Sequence, residues 1–400
     1  MSTPIPTTTS RVFKPRSGPL NVLFVIPTLQ GGGAERSLVD IIRSFVPDRV
    51  KSTLAVFYLD NAVFQSKVPA ECDIVDMGCE RTRRSIPAIV RTVWKIRPQI
   101  VFASLSHVNL LVGLIRWLFP SDVKCVAQQV AVLSSLIGTG YRKRLLRVLY
   151  GLSYRNFDRV VCVSNAVRDD LQATLSLDPR RLQVIYNPCD FVDIDAQLNA
   201  EGAGAEAERF LDTLPRGSKV LVAAGGLNHN KGFDILIDAV FLCNDTRLQA
   251  VVLGEGDARA ALERRVRDRG LDQRIHFVGF KSKVYCWLSK ADCFVLSSRM
   301  EGFGNVMIEA IACGLPVVAT PAGGAIKEIL DGVDGCIVAD EVCAPSLAEA
   351  IRQWLAGTPV RMERGAIKKF DIAHISEQYL QALESVAQPG GSHQRSVRRP

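Results

Sequence analysis

Compact apolar runs recur along the first half of the chain: NVLFVIP near the start, then TLAVFYLD, IVFAS at 100–104, VKCVA at 123–127, RVVCVS at 159–164 and QVIYN at 183–187. Runs this short, apolar throughout and rich in β-branched residues, predict strands buried on both faces. Between them apolar residues return at helical spacing, the first time from Ala34 to Phe45 after the loop TLQGGG. Buried strands alternating with helices predict a parallel sheet covered by helices on both sides.

The pattern breaks from Asp190 to Ser218, where NAEGAGAEAE and LPRGS replace the apolar runs, and then starts again. KVLVAAG, QAVVLG, IHFVG, CFVLSS and PVVAT are five further strand-like runs with helical stretches between them. The expected fold class is therefore α/β, with two Rossmann-like doubly wound domains facing across a cleft, since ligands of such sheets bind beyond the carboxyl ends of the strands. The expected organisation is a disordered tail at 1–19, a first domain at 20–189, a linker at 190–217 and a second domain at 218–370, for which the resemblance given below implies the acceptor side and the nucleotide-sugar side respectively. A C-terminal helix at 371–387 and a disordered tail at 388–400 complete it.

Composition narrows the classes. The chain has 400 residues, 48% of them hydrophobic and 22% charged, which excludes a disulfide scaffold or a disordered chain and fits two domains. Its eleven cysteines include no Cys-x-x-Cys pair and no histidines at zinc spacing, so they read as buried hydrophobes in a reducing compartment and no metal is expected. The N-terminal segment is rich in Pro, Ser and Thr without an apolar core, and the most apolar stretch, 102–119, is broken by His107, Asn109 and Arg116. Neither a signal peptide nor a spanning helix is expected, and the expected location is cytoplasmic.

The net charge of +8 is carried by the first half: residues 1–200 hold 25 Lys/Arg against 16 Asp/Glu, and 77–160 hold 14 against three. Such a bias points to an anionic partner, though a solvated surface accounts for it equally well. In 141–155, Leu145, Val148, Leu149 and Leu152 recur at i, i+3, i+4 and i+7, with Lys143, Arg144 and Arg147 on the other side. That is an amphipathic helix with a one-signed polar face, suited to an anionic bilayer or to ordinary packing with solvated arginines. Without RNA-recognition or helix-turn-helix patterns, no nucleic-acid partner is expected.

Four places carry candidate chemistry. Gly31, Gly32 and Gly33 follow the first strand and open a helix, where bare backbone N–H groups can approach an anion. A tight turn would explain the same glycines. In SSRMEGFGNVMIEAIACGLPVVAT, Glu301 precedes a glycine loop and Glu309 lies eight residues on, in a helix so apolar that Glu309 should be buried and must find donors. A ribose diol would supply two; a structural capping role is the competing reading. Lys231, just past a strand and at a helix entrance, can neutralise a diphosphate leaving group, although alone it would be an ordinary surface lysine. His107 again follows a strand end, where doubly wound domains place reactive residues, yet a lone histidine on an apolar segment is more often a core residue.

Taken together these residues resemble the family 4 retaining glycosyltransferases of the GT-B fold, over 22 to about 386. EGFGNVMIEAIACGLPVVAT matches the family's donor signature, and NKGFDILIDA, VVLGEGD, IHFVGF and IYNPCD match in order and spacing. GGGAERS is similar to members that build bacterial surface polysaccharides. The resemblance implies that Glu309 binds the nucleotide ribose, Glu301 the transferred sugar, Lys231 the diphosphate and the strand end at Val278 the base. Gly254, Gly302, Phe303, Gly304 and Asn305 would line the donor site, and His107, Gly32 and Gly33 would face the reacting sugar, with Glu301, Lys231 and His107 as the catalytic set.

It implies further a hexosyl or N-acetylhexosaminyl unit moved from a nucleotide-sugar, a UDP-sugar or GDP-mannose, to a lipid-linked or growing saccharide. Neither cofactor nor metal is implied, and the enzyme would sit peripherally on the inner face of the membrane. One departure is that Gly226 stands where the family usually has an arginine. A nucleotide-sugar epimerase of the same fold and a non-catalytic saccharide-binding protein are the alternatives.

Overall fold

The computed structural model describes residues 18–60, 62–79, 82–138, 140–358 and 360–388; apart from their inner edges, the two expected tails lie outside these residues. The first sheet contains β1 (Leu20–Ile26), β2 (Val50–Val56), β3 (Asp73–Asp76), β4 (Ile100–Ser104), β5 (Lys124–Gln129), β6 (Arg159–Cys162) and β7 (Leu182–Val184). The second contains β8 (Lys219–Ala224), β9 (Leu248–Leu253), β10 (Ile275–Gly279), β11 (Cys293–Leu296), β12 (Val317–Ala319) and β13 (Ile337–Val338). Their orders are β3-β2-β1-β4-β5-β6-β7 and β10-β9-β8-β11-β12-β13, parallel throughout. In both sheets the strand order reverses beside the first strand, between β1 and β4 and between β8 and β11, and these switch points open on the cleft. This is the doubly wound pair that the apolar runs predict.

Helices cover both faces, as the all-apolar strands require. In β1 every residue but Asn21 is buried, and the amide of Asn21 donates to Gln99 Oε1 at 2.9 Å. The helices Gly33–Ser44 and Ile372–Ala387 cover one face of the first sheet. The second of these is the expected C-terminal helix, and it belongs to the first domain's core: Tyr379 meets Phe102 edge-on at 6.1 Å and accepts a hydrogen bond from Gln128 Nε2 at 2.8 Å. The chain therefore crosses between domains twice. The two crossings lie side by side, bridged by Cys189 N to Phe370 O at 2.7 Å and Ile372 N to Cys189 O at 3.1 Å.

The stretch expected as a linker is itself helical, at Phe191–Asn199 and Ala205–Leu211. Phe210 fixes it to the second domain by packing on Trp287 at 5.6 Å and His276 at 5.5 Å. All eleven cysteines are free; burial pushes the thiols of Cys125 and Cys162 up to about 12.

Helix Gly140–Tyr154 rests on its neighbour Ser106–Ile115 through Ser153 and Tyr154. Ser153 Oγ donates to Asn109 O at 2.9 Å, and Asn109 Nδ2 donates to Tyr154 Oη at 3.1 Å. Most of its apolar stripe lies outside that contact: Leu145, Val148 and Leu152 are 50%, 58% and 51% exposed, Leu149 is half-buried, and Lys143, Arg144 and Arg147 are exposed beside them. Packing against the first domain therefore covers only part of the stripe. Among the described residues no helix is long and apolar enough to cross a membrane.

Candidate active site

A cavity of about 680 Å³ lies between the carboxyl ends of the two sheets. The loop after β1 brings Gly31, Gly32 and Gly33 to it, the loop after β8 brings Gly226 and Lys231, and the segment after β11 brings Glu301 and Glu309. Residues more than 270 positions apart in sequence thus share one wall, because each follows a central strand of its own sheet.

Lys231 ends a short 3-10 turn, His229–Lys231, whose start is held by Asn228 Oδ1 accepting from Asn230 N at 3.0 Å. From there its ammonium reaches Glu301 Oε1 at 2.6 Å. Glu301 is buried, and Ser298 Oγ donates to the same oxygen at 2.7 Å. A buried carboxylate held by two donors is fixed in one orientation. The backbone beyond it is fixed by contact with the other domain, since a Cβ at Gly302 would collide with the carbonyl of Val130. The amides of Phe303 and Gly304 have no protein acceptor among the described residues, and they precede helix Asn305–Ala312. Free N–H groups at a helix entrance attract phosphate or sugar oxygens.

That helix is buried nearly all round, and Glu309 within it is 7% exposed. Its donor comes from the opposite domain. Arg36, on helix Gly33–Ser44, sets Nη1 at 3.3 Å from Oε1 and 3.4 Å from Oε2 of Glu309 and donates through Nη2 to Tyr285 Oη. The guanidinium lies over the Tyr285 ring at 5.3 Å. Burial works against the charge of Arg36, but Glu309 and Asp40 outweigh it and its pKa is raised. Asp40, 3.8 Å from Arg36 and 3.6 Å from Arg43, is held up at about 6 by burial in spite of both arginines. Beside this pair, Asn305 Nδ2 donates to Gly33 O at 2.9 Å and Ser37 Oγ at 2.7 Å, while its Oδ1 accepts from Asn187 Nδ2 at 2.8 Å.

The glycine loop departs from expectation. Glu35 reaches back so that its Oε2 accepts from the amides of Gly31 and Gly32, both at 3.1 Å, while its Oε1 accepts from Thr28 Oγ1. Those two amides are therefore occupied by the protein's own carboxylate. The loop bounds the cavity in a fixed shape instead of offering itself as an open anion nest. Both Glu35 and Arg36 lie inside GGGAERS, and their charges directly after the glycines are the signal that the sequence offered.

Other expected residues are not on the cavity wall. His107 is exposed in the first turn of Ser106–Ile115, and the protein around it lowers its pKa by desolvation. It follows Leu105, whose φ of 79° and ψ of 136° are strained for a side chain of that size. Gly254 is a close-approach position, since a Cβ there would strike the carbonyl of Gly225. Val278 stays within β10, while Phe280 and Lys281 just beyond it reach the cavity. At Gly226, which stands where the resembled family usually has an arginine, a Cβ would meet Asn228 Nδ2 at 3.3 Å.

The one Asp-x-Asp of the chain, Asp193 and Asp195, lies in helix Phe191–Asn199, and its carboxylates diverge: Asp193 pairs with Lys67 at 3.6 Å and Asp195 with Arg364 at 2.6 Å. Among the described residues no group of three or more His, Cys, Asp or Glu could hold a metal ion.

Comparison with known proteins agrees with this architecture. Residues 31–192 match the profile of Glycosyltransferase Family 4, and residues 218–357 that of Glycosyl transferases group 1. The chain is 23% identical over 316 residues to the N-acetylgalactosamine-N,N'-diacetylbacillosaminyl-diphospho-undecaprenol 4-alpha-N-acetylgalactosaminyltransferase of Campylobacter jejuni, covering 76% of this chain and 81% of that protein. It is 36% identical over 244 residues to the lipopolysaccharide core biosynthesis glycosyltransferase LpsE of Rhizobium meliloti, covering 58% and 66% respectively. Its fold superposes on Anabaena HepE in complex with UDP-glucose with a TM-score of 0.76 at 22% identity, over 92% of this chain and 100% of that one. Of the three activities left open by the sequence, the transferase is the one these relatives carry, and the chain belongs to family 4 of the glycosyltransferases, with the GT-B fold.

Proposed function

We propose that the enzyme moves a hexosyl or N-acetylhexosaminyl unit from a nucleotide-sugar to a lipid-linked or growing saccharide, with retention at the anomeric carbon. The observation that carries this reading is the junction of Lys231, Glu301 and the open amides of Phe303 and Gly304 on one wall, with Glu309 deeper in the same cavity. Lys231 and the amides face the diphosphate, Glu301 takes sugar hydroxyls, and Glu309 takes the ribose. The leaving diphosphate, neutralised on the enzyme, accepts the proton of the incoming hydroxyl on the face from which it departs. The protein's part is to position the two substrates and stabilise the negative charge that develops. With Gly226 in place of an arginine, Lys231 and the helix entrance carry that stabilisation. His107, beyond β4, is assigned to the acceptor side.

The names of the relatives support the substrate classes, one acting on a diphospho-undecaprenol acceptor and one structural neighbour holding UDP-glucose. A uridine nucleotide is the proposed donor handle, with GDP-mannose as the competitor. The exposed stripe of Leu145, Val148 and Leu152, flanked by Lys143, Arg144 and Arg147, supports peripheral attachment to an anionic inner membrane surface.

The test is to incubate the enzyme with UDP-glucose, UDP-galactose, their N-acetylhexosamine counterparts and GDP-mannose, and to follow release of the nucleoside diphosphate and the anomeric configuration of the sugar by NMR. Release from one donor with retained configuration is expected. Conversion of the donor sugar to its epimer, or inverted product, would overturn the reading.

A further inference from the structure

Glu309 is read above as the ribose carboxylate, yet in the structure it already has a cationic partner, and that partner belongs to the other domain. Two arrangements would follow on nucleotide binding. In one, Arg36 competes with the ribose and must leave; in the other, it stays and orients the carboxylate. The geometry favours the second. Nη1 of Arg36 sits almost equally far from both oxygens, at 3.3 and 3.4 Å, so it occupies the notch between them. A carboxylate has about four lone-pair sites, and with the notch filled the outer lone pair of each oxygen stays open; these point apart, so a ribose engages one of them through one hydroxyl, the 2'-hydroxyl. Arg36 is also held from behind, by Tyr285 Oη, by the face of the Tyr285 ring and by Asp40, so it is anchored whether or not Glu309 moves. Leaving would strand Glu309 in a site that is 7% exposed, and a buried carboxylate stripped of its partner is strongly disfavoured.

We propose that Arg36 is a positioning residue, which reaches across the cleft from the glycine-loop helix to set the orientation of Glu309 and so makes ribose recognition in the second domain depend on closure of the first. This rests on the reading of Glu309 as the ribose ligand. The same first turn supplies the rest of the coupling: Gly33 O and Ser37 Oγ accept from Asn305 at the entrance of the Glu309 helix, and Glu35 pins the loop that precedes it. Contacts from this one turn, Gly33 to Ser37, thus tie the acceptor-side loop to one donor-side helix. A nucleotide that engages Glu309 draws the glycine loop to where the acceptor must arrive.

The experiment measures calorimetric affinity of the full chain for UDP and 2'-deoxy-UDP, and for GDP and 2'-deoxy-GDP, in wild type, Arg36→Gln, Arg36→Lys, Tyr285→Phe and Glu309→Ala. The ratio of ribose to deoxyribose affinity is the readout, because loss of charge alone weakens both nucleotides equally and leaves the ratio unchanged. Wild type is expected to favour the ribose form by about tenfold, the size of a hydrogen bond to a charged group. Glu309→Ala should bring the ratio close to one. Arg36→Gln should reduce it in the same direction, and Arg36→Lys should reduce it too while retaining most of the affinity, because an ammonium lacks the guanidinium fork. Tyr285→Phe, which leaves Arg36 in place but frees one end, should give an intermediate ratio.

A wild-type ratio near one, or no binding of either nucleotide, overturns the ribose reading and this proposal together. A tenfold ratio abolished by Glu309→Ala but unchanged by both Arg36 variants overturns the proposal alone. Tighter nucleotide binding by Arg36→Gln would show that Arg36 competes with the ribose, which also overturns it.

Discussion

Lys231 holds Glu301 at 2.6 Å, a lysine from the loop after β8 pinned to a buried carboxylate from the segment after β11. Before substrate arrives, each charge is the other's main partner. Lys231→Met therefore has two separable effects. Turnover should fall about 10²- to 10³-fold through loss of charge stabilisation at the diphosphate. Stability should fall by about 3 to 5 kcal/mol because Glu301 is left uncompensated. Lys231→Met combined with Glu301→Gln should recover melting temperature and none of the activity; a double variant as unstable as the single one would contradict the pairing.

Glu35 fixes the glycine loop without touching the proposed donor site. Glu35→Gln turns an amide NH₂ or removes an acceptor where two backbone N–H groups converge, so the loop must rearrange. Transfer to acceptor is expected to drop roughly 30-fold with nucleotide affinity little changed. Calorimetry and steady-state kinetics on the same preparation check this, and parallel losses in both would contradict it.

Asp40 gives the fold an acidic-side pH dependence of definite sign. Burial raises its carboxyl from 3.8 to about 6, so between these values the folded state holds a proton that the unfolded chain has released. Its contribution is complete below about pH 4 and is lost as pH rises through 6, amounting to ~3 kcal/mol. Melting temperatures of Asp40→Asn across that window should decline less with rising pH than those of wild type. Parallel curves would remove Asp40 as the cause.

The exposed apolar stripe of helix Gly140–Tyr154 makes a membrane test specific. Replacing Lys143, Arg144 and Arg147 with Gln removes roughly 1 kcal/mol each of attraction to an anionic bilayer. Sedimentation with phosphatidylglycerol vesicles should weaken about 100-fold and become insensitive to salt, while transfer to a short soluble acceptor persists. Equal sedimentation of wild type and variant at low ionic strength would contradict attachment through this helix.

Turnover is expected to survive exhaustive EDTA treatment. The carboxylates of Asp193 and Asp195 are taken by Lys67 and Arg364, and the proposed diphosphate partners are a lysine and backbone amides. Activity lost to EDTA and restored by manganese or magnesium would refute this.

How much of this could be read from the chain differs by element. The central strands were legible because both faces are buried, which forces continuous apolar runs. β3 and β13 were not: DIVD, at a sheet edge, has only two apolar residues between two aspartates, and Ile337–Val338 is only two residues long. β2 begins at Val50, three residues before TLAVFYLD, since Lys51 and Ser52 take part in the ladder without looking apolar. In the site, Glu301, Glu309 and Lys231 were legible from local spacing around glycine loops. Arg36 as the partner of Glu309 was not, because 273 residues separate them and only the closing of two domains brings them together. The exposure of Leu145, Val148 and Leu152 was undecided for a similar reason: helical periodicity gives a stripe but not its direction.

The paired crossings at Cys189 and Asp371 determine how the cleft can move. A single connecting segment would let one domain swing and twist in any direction relative to the other. Two segments hydrogen-bonded side by side resist twisting and leave bending about the line they share. Opening then follows one path, along which Arg36 and Glu309 part and meet again in the same register. The helix Ile372–Ala387, remote from every reacting atom, is what makes that second segment return to the first domain. Its loss would convert a one-dimensional search for the closed state into a three-dimensional one.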